Sequence, residues 1–290
     1  MRKESWDNKL FGIFVAIVLF LLTVVCILPF LNLFALSVSE SGPVLRGEVW
    51  FWPKEFTLEV YKSIFQNGVL VKAMIRTIIL TIVYVLISMI MTVLCAYPLS
   101  DPGLKGKEII WPFIIFTMYF SGGMIPNYLL ISKLGLIDSM MSLILPGMIS
   151  TYNMIVLRSF FVSIPVSLRE SAFIDGAGDF SILIKIILPL SKPALATIAL
   201  FYGISRWNGL QDALLYINSP EKAVLQLKLK QMISNAESVS EMLEGAAGSM
   251  VVADTVRAGS LLFSLIPVLI IYPFLQKYFV KGVMIGAVKG

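Results

Sequence analysis

One stretch, ESAFIDGAGDFSILIKIILPLSKP, Glu170 to Pro193, sets charges, small residues and paired prolines in a chain that is otherwise largely apolar. Glu170 and Asp175 carry charge, Ser171, Ala172, Gly176 and Ala177 are small, and Leu188, Pro189 and Pro193 close the run. This set suits contact between two surfaces rather than the making of bonds. Small side chains let a second surface approach closely, and the two carboxylates offer it charge partners. Pro165 followed by Ser167 predicts a capped short helix with Leu168, Ala172 and Phe173 on one face. Gly176 and Gly178 predict a tight turn through backbone angles closed to larger residues. The prolines then mark entry into an apolar helix. A surface-lying helix with no partner is the alternative reading of the same residues.

Catalytic chemistry is poorly supplied. The chain has no histidine, which removes the commonest general base and the commonest zinc ligand. Its two cysteines, Cys26 and Cys95, fall in separate apolar blocks, where a thiol is most simply a small filler, so neither a disulfide framework nor a metal cluster is expected. GLKGKE, Gly103 to Glu108, lacks the spacing and the hydroxyl residue of a phosphate-binding loop. No cofactor is expected on this chain. The apolar blocks also hold almost no acid at their centres, which disfavours a gradient-driven carrier with buried ion or proton sites.

These residues must be positioned by membrane-spanning helices. The 290 residues are 58% hydrophobic and 14% charged, with a mean hydropathy of +0.87, and the apolar residues come in long blocks. About 20 mostly apolar residues cross a hydrocarbon core of about 30 Å. Six candidate spans follow: 10–37, 74–99, 109–131, 142–161, 183–206 and 259–280. The first is too long for the apolar core of a signal peptide and no small-residue cleavage site closes it, so a retained helix is expected. Basic residues at Arg2, Lys3, Lys9, Lys105, Lys107, Lys277, Lys281 and Lys289 predict that both termini lie in the cytoplasm. The net charge of +5 is then a topology signal and not a nucleic-acid surface. The expected architecture is all-α, one membrane domain over 1–290, with a cytoplasmic loop 162–182 and outer loops 38–72 and 208–258.

Several local features accompany the spans. Trp50, Phe51, Trp52 and Pro53 form an aromatic cluster suited to the membrane interface. Glu221 to Met242 permits a helix, although the alternation of Leu225, Leu227 and Leu229 would also suit a strand. MYFSGGMIPNY, Met118 to Tyr128, either ends the third span or breaks it beside a pathway, since irregular backbone at membrane depth needs protein or a water-filled cavity around it. Asn153 is an amide within the fourth span, placed for interhelical hydrogen bonding or for solute contact. With Tyr119 and Trp207 it makes a candidate substrate path, each of the three being equally able to serve helix packing.

The spacing of Glu170, Ala172 and Gly176, then Ile186, Leu188 and Pro189, resembles the EAA motif of bacterial ABC importer permeases. The fuller run is similar to the carbohydrate, maltose-type branch of that family, as are RSFFVSIP, Arg158 to Pro165, and RWN, Arg206 to Asn208. Ser171 departs from the family's usual alanine. MYFSGGMIPNYLLISKLGLIDS resembles the LplC/YtcP-like subgroup, associated with complex or acidic plant oligosaccharides. The resemblance runs over most of the chain.

That resemblance implies a six-span permease subunit in the bacterial cell membrane that is not itself an enzyme. It implies a second, similar permease subunit, two cytoplasmic ATPase subunits holding ATP and magnesium, and an extracytoplasmic binding protein delivering an oligosaccharide. Glu170, Ser171, Ala172, Asp175, Gly176, Ala177, Leu188 and Pro189 would then belong to the coupling loop seated on an ATPase. The rival from another class is a stand-alone secondary carrier or channel for a small polar solute.

Overall fold

The computed structural model describes residues 6–242, 254–271 and 273. Arg2, Lys3, Lys277, Lys281 and Lys289, on which the expected orientation partly rests, lie outside them, as does the end of the sixth expected span. Among the described residues every regular element is helical, and β pairing is limited to an isolated bridge between Ser39 and Phe56. Packing groups these residues into two compact units, one within Met1–Val71 and Leu229–Ile266, the other within Lys72–Lys228 and Pro267–Gly290.

In the first unit, α1 (Trp6–Ser37) presents its apolar side chains outward along most of its length, as a helix in contact with lipid would. Burial begins at its C-terminal end, where Ala35, Ser37 and Val38 are enclosed. The following chain folds back on that end. Ser39 Oγ donates to the Ala35 carbonyl at 2.6 Å, Thr57 N–H to the Val38 carbonyl at 2.9 Å, and Asn32 Nδ2 to the Trp50 carbonyl at 2.6 Å. Trp50 and Trp52 remain exposed between the short helices α2 (Ser41–Leu45) and α3 (Glu59–Asn67). Phe65 of α3 meets Phe263 edge-on at 5.7 Å between ring centres.

The second unit carries the residues of functional interest. Its long rod is α4 (Val69–Ser100), 32 residues, or roughly 48 Å at about 1.5 Å per residue. The remaining apolar helices of this unit are broken. α5 (Lys107–Tyr119) and α6 (Met124–Lys133) meet at 108°, a 3-10 segment (Met140–Gly147) and α7 (Thr151–Ser163) at 49°, and the segment Asp179–Leu190 meets α11 (Lys192–Trp207) at 84°. That last segment comprises α9 (Asp179–Ile182), a π-helical turn (Leu183–Ile187) and α10 (Leu188–Leu190), and α8 (Val166–Ile174) precedes it. Then comes α12 (Gln211–Tyr216); the greater parts of α13 (Leu225–Met242) and α14 (Asp254–Ile271) belong to the first unit. By length and composition α1, α4 and α14 can each cross a membrane, and six crossings result if every bent pair counts as one.

Two span expectations change. The expected third span breaks at residues 120–123, where Gly123 has φ of 88°, rather than simply ending. The expected fifth span, 183–206, is not one straight helix, because Pro189 and Pro193 each remove a backbone donor and the chain turns at Ser191. The Ser191 N–H and hydroxyl both donate to the Ile187 carbonyl, at 3.0 and 2.7 Å, closing the turn. Glu221 to Met242, ambiguous by periodicity, is helical from Leu225 onward.

Side chains satisfy the backbone that the break between Gly147 and Thr151 frees. The Tyr84 hydroxyl donates to the Gly147 carbonyl at 2.6 Å, the Ser150 N–H donates to the Tyr202 hydroxyl at 2.9 Å, and that hydroxyl also bonds Thr92 Oγ1 at 2.7 Å. Tyr84 and Tyr202 pack edge to face at 5.9 Å within the core of this unit. Tyr202→Phe strands the buried Thr92 hydroxyl and the half-buried Ser150 N–H and is expected to cost about 1–3 kcal/mol. Thermal melting of the purified protein in detergent checks this, and an unchanged midpoint would mean that Ser150 finds another acceptor.

Candidate functional site

The α8 loop is held at one end of α4. Arg169 Nη2 donates to Ser100 Oγ at 2.9 Å, with its guanidinium 5.2 Å from the centre of the Tyr97 ring. Arg158 Nε donates to the Leu99 carbonyl at 2.8 Å and stacks over Trp111 at 4.1 Å. The Tyr97 hydroxyl donates to the Asp179 carbonyl at 3.3 Å. Two cations thus sit at the carbonyl end of the rod, where the helix dipole favours positive charge. Sequence reading took RSFFVSIP as a flank of the loop and missed that Arg158 and Arg169 moor it. Their positions on either side of Pro165 were the available signal.

Within α8 the local chemistry differs from expectation at three residues. Ser167 lies inside the first turn and makes no cap bond; Pro165 occupies the cap position instead. Leu168 and Phe173 do not share a buried face with Ala172, which alone is turned into the protein, while they and Ile174 stay exposed. A nine-residue surface helix held by Arg169 rests on its own chain along a narrow line. Gly178 is extended and starts α9, so of the two glycines Gly176 alone needs left-handed backbone, with φ of 80°.

Gly176 closes a Schellman turn. The Ala177 N–H bonds the Ala172 carbonyl at 2.9 Å and the Gly176 N–H bonds the Phe173 carbonyl at 3.0 Å. A side chain at Gly176 would meet nothing within 4 Å. Glu170, Ser171 and Asp175 are exposed, and the two acids make no ion pair among the described residues. Leu188 packs partly on the core and Pro189 is exposed, both in α10 beyond the π-helical turn. The structure therefore sets out a moored helix with uncommitted charge and apolar side chains facing outward. It has a cleft of about 730 Å³ between Ser100, Arg169, Glu170 and Phe180.

None of the three candidate path residues is in the lining of the cavity that their sequence neighbours form. Tyr119 is exposed at the end of α5, Asn153 is buried in the first turn of α7, and Trp207 is half-buried at the end of α11. Their neighbours in sequence do converge. Ser121, Asn127, Ser205 and Gln211 line a cavity of about 800 Å³, with Arg206 and Asp212 in its wall. Arg206 is 6% exposed. Its Nη2 donates to Asp212 Oδ1 at 2.8 Å, and its Nη1 to Asp212 Oδ2 and to the Leu143 carbonyl, the latter at 2.6 Å. Sequence reading noted RWN but not the clamp. An arginine ending an apolar helix with an aspartate six residues on was the signal.

A second polar knot fixes the chain near the same cavity. Asp138, at φ of 59°, accepts from the Asn218 N–H at 3.0 Å, the Ser219 N–H at 2.9 Å, the Ser219 hydroxyl and Lys222 Nζ at 2.9 Å. Hydrogen bonds from the Ser219 side chain and backbone, then Lys222, hold its carboxyl well below the usual carboxylate range. A lowered folded value means the stabilisation is present above about pH 4, the ordinary aspartate value, and fades as pH falls through the folded one. Asp138→Asn is expected to melt several degrees lower at pH 7. That gap should narrow as the pH is lowered below the aspartate range, and a pH-independent gap would assign the loss to shape and not to charge.

Among the described residues no cluster of cysteine and carboxylate side chains is arranged to hold a metal ion. Residues 75–285 match the family model described as "Binding-protein-dependent transport system inner membrane component". This chain belongs to that family. The permease is 39% identical to the polygalacturonan/rhamnogalacturonan transport system permease protein YtcP of Bacillus subtilis (strain 168), covering 98% of this chain and 99% of that protein. It is 38% identical to the protein LplC of the same organism, covering 92% of this chain and 90% of LplC. A crystal structure of a bacterial ABC transporter involved in the import of the acidic polysaccharide alginate contains a chain that matches with a TM-score of 0.87. The identity is 35%, over 96% of this permease and 100% of that chain. The membership that the EAA-like spacing pointed to holds over most of the sequence.

Proposed function

We propose that this permease passes an oligosaccharide inward across the bacterial cell membrane, and that α8 is the element through which ATPase subunits drive it. A single membrane domain with both termini in the cytoplasm would place α8 on the ATPase side. Glu170, Ser171, Asp175 and Gly176, with Ala172 and Ala177 as the small residues behind them, would seat in an ATPase groove. Leu188 and Pro189 would carry movement onward toward α11. The partners are a second permease subunit, two ATPase subunits holding ATP and magnesium, and an extracytoplasmic solute-binding protein. The substrate class is supported by relatives named for polygalacturonan, rhamnogalacturonan and alginate.

The observation that supports the coupling role is the contrast within α8: its inner side is tied to α4 through Arg169 and Ser100, while the Glu170 and Asp175 carboxylates have no ion-pair partner among the described residues. A helix fixed on one side and uncommitted on the other transmits displacement. Purification of the chain from its native host in mild detergent, with mass spectrometry of what accompanies it, tests the assembly. An ATPase, a second permease and a binding protein are expected, and Glu170→Lys should recover less ATPase. The chain alone, even after gentle crosslinking, would contradict the proposal and favour a stand-alone carrier.

A further inference from the structure

Polar side chains without protein partners gather in the cavity beside the α5–α6 break. Asn127, Ser205 and Gln211 are exposed there, and among the described residues their side chains make no hydrogen bond to protein. The two ionised residues of the lining neutralise each other. Both Nη atoms of Arg206 are spent on Asp212, with Leu143 and Gly209 carbonyls completing the ring, and the Arg206 side chain is 5% exposed. A carboxylate entering this cavity meets no uncommitted cation among the lining residues. Amide and hydroxyl groups both donate and accept, as sugar hydroxyls do, so they pair with a polyol without needing charge. A purely apolar solute would cover the amides and leave them unpaired. The volume of about 800 Å³ suits a short run of sugar units rather than a single ion.

We propose that this cavity is a subsite for an uncharged, hydroxyl-rich face of a glycan, with Asn127, Ser205 and Gln211 as its hydrogen-bonding residues. The inference rests on the glycan-import reading and sharpens it. This subunit reads hydroxyls, and the acidity of an acidic glycan is not read by the Arg206–Asp212 pair, which is wall.

Saturation-transfer NMR on the intact transporter in nanodiscs, after the binding protein is washed away, tests this with galactotriose and trigalacturonate as probes of equal length. Transfer to both is expected in the wild type. Asn127→Leu with Gln211→Leu should lower both by about fivefold or more, the equivalent of a lost hydrogen bond or two. Asn127→Asp, which keeps the shape, should weaken trigalacturonate through repulsion and spare galactotriose. No transfer in the wild type, transfer undiminished in the double variant, loss confined to the acidic probe there, or indifference of trigalacturonate to Asn127→Asp would each overturn the subsite. Failure of the importer reading shows separately, as the absence of ATPase subunits from the purified complex.

Discussion

Gly209→Ala is expected to destabilise this permease by about 3–5 kcal/mol, the cost of leaving a buried charge without its partner. A Cβ at Gly209 would overlap Arg206 Nη2 and stand 2.7 Å from Arg206 Cζ. The tip of an arginine usually swings aside at little cost, but this one cannot. It is bound to both oxygens of Asp212 and to the Leu143 carbonyl, and its guanidinium lies 5.7 Å from the centre of the Tyr84 ring. Displacing it breaks the ion pair and frees a carbonyl at the 3-10 break in one step. Gly203→Ala is the matched control, since a Cβ there meets Val85 at an ordinary 3.8 Å inside α11. That change should be neutral or stabilising by about 0.5–1 kcal/mol through reduced unfolded-chain entropy. Thermal melting of the two variants in the same detergent decides. Equal melting would mean that the guanidinium relaxes freely and that the clamp is not structural.

Gly176→Leu is expected to abolish transport while leaving the chain inserted and folded. Left-handed backbone at a non-glycine residue costs about 1–2 kcal/mol, and open space around Gly176 adds no clash within the chain. That sum is too small to unfold the protein but large enough to tilt the end of α8, and the new side chain would stand where a partner's surface must approach. Gly176→Ala separates the two effects, having similar backbone strain with little bulk. A leucine variant that moves substrate normally would sink the docking role of this turn, and one that fails to insert would make the residue structural.

The α8 loop, proposed above to couple to the ATPase, is legible in the sequence because its signal is one of residue type: charges, small residues and prolines stand out in an apolar chain, and Gly176 takes the left-handed turn that follows. The mooring of that loop was less visible. Arg158 and Arg169 act through α4 residues more than fifty positions away, Leu99 and Ser100, a pairing that no local period reveals. The spans were legible as blocks but not as broken helices. A hydropathy window sees apolar residues through Ser191 or Gly147 and is blind to the hydroxyls of Tyr84 and Tyr202 that let the backbone depart from helix. The path residues show the same limit. Tyr119 and Trp207 stand out by residue type, whereas the cavity is lined by their neighbours Ser121 and Arg206.

The most direct test of coupling is a contact map from α8 itself. Ser171→Cys, in a background where exposed Cys26 and half-buried Cys95 are replaced, places a photo-crosslinker on the exposed side of the helix next to buried Ala172. In native membranes under illumination, an ATPase subunit should be captured at that position, with capture changing when non-hydrolysable ATP closes the ATPase pair. Labelling of lipid alone, in membranes where the complex is otherwise intact, would contradict the placement of α8 at the ATPase and with it the proposed route of force into the permease.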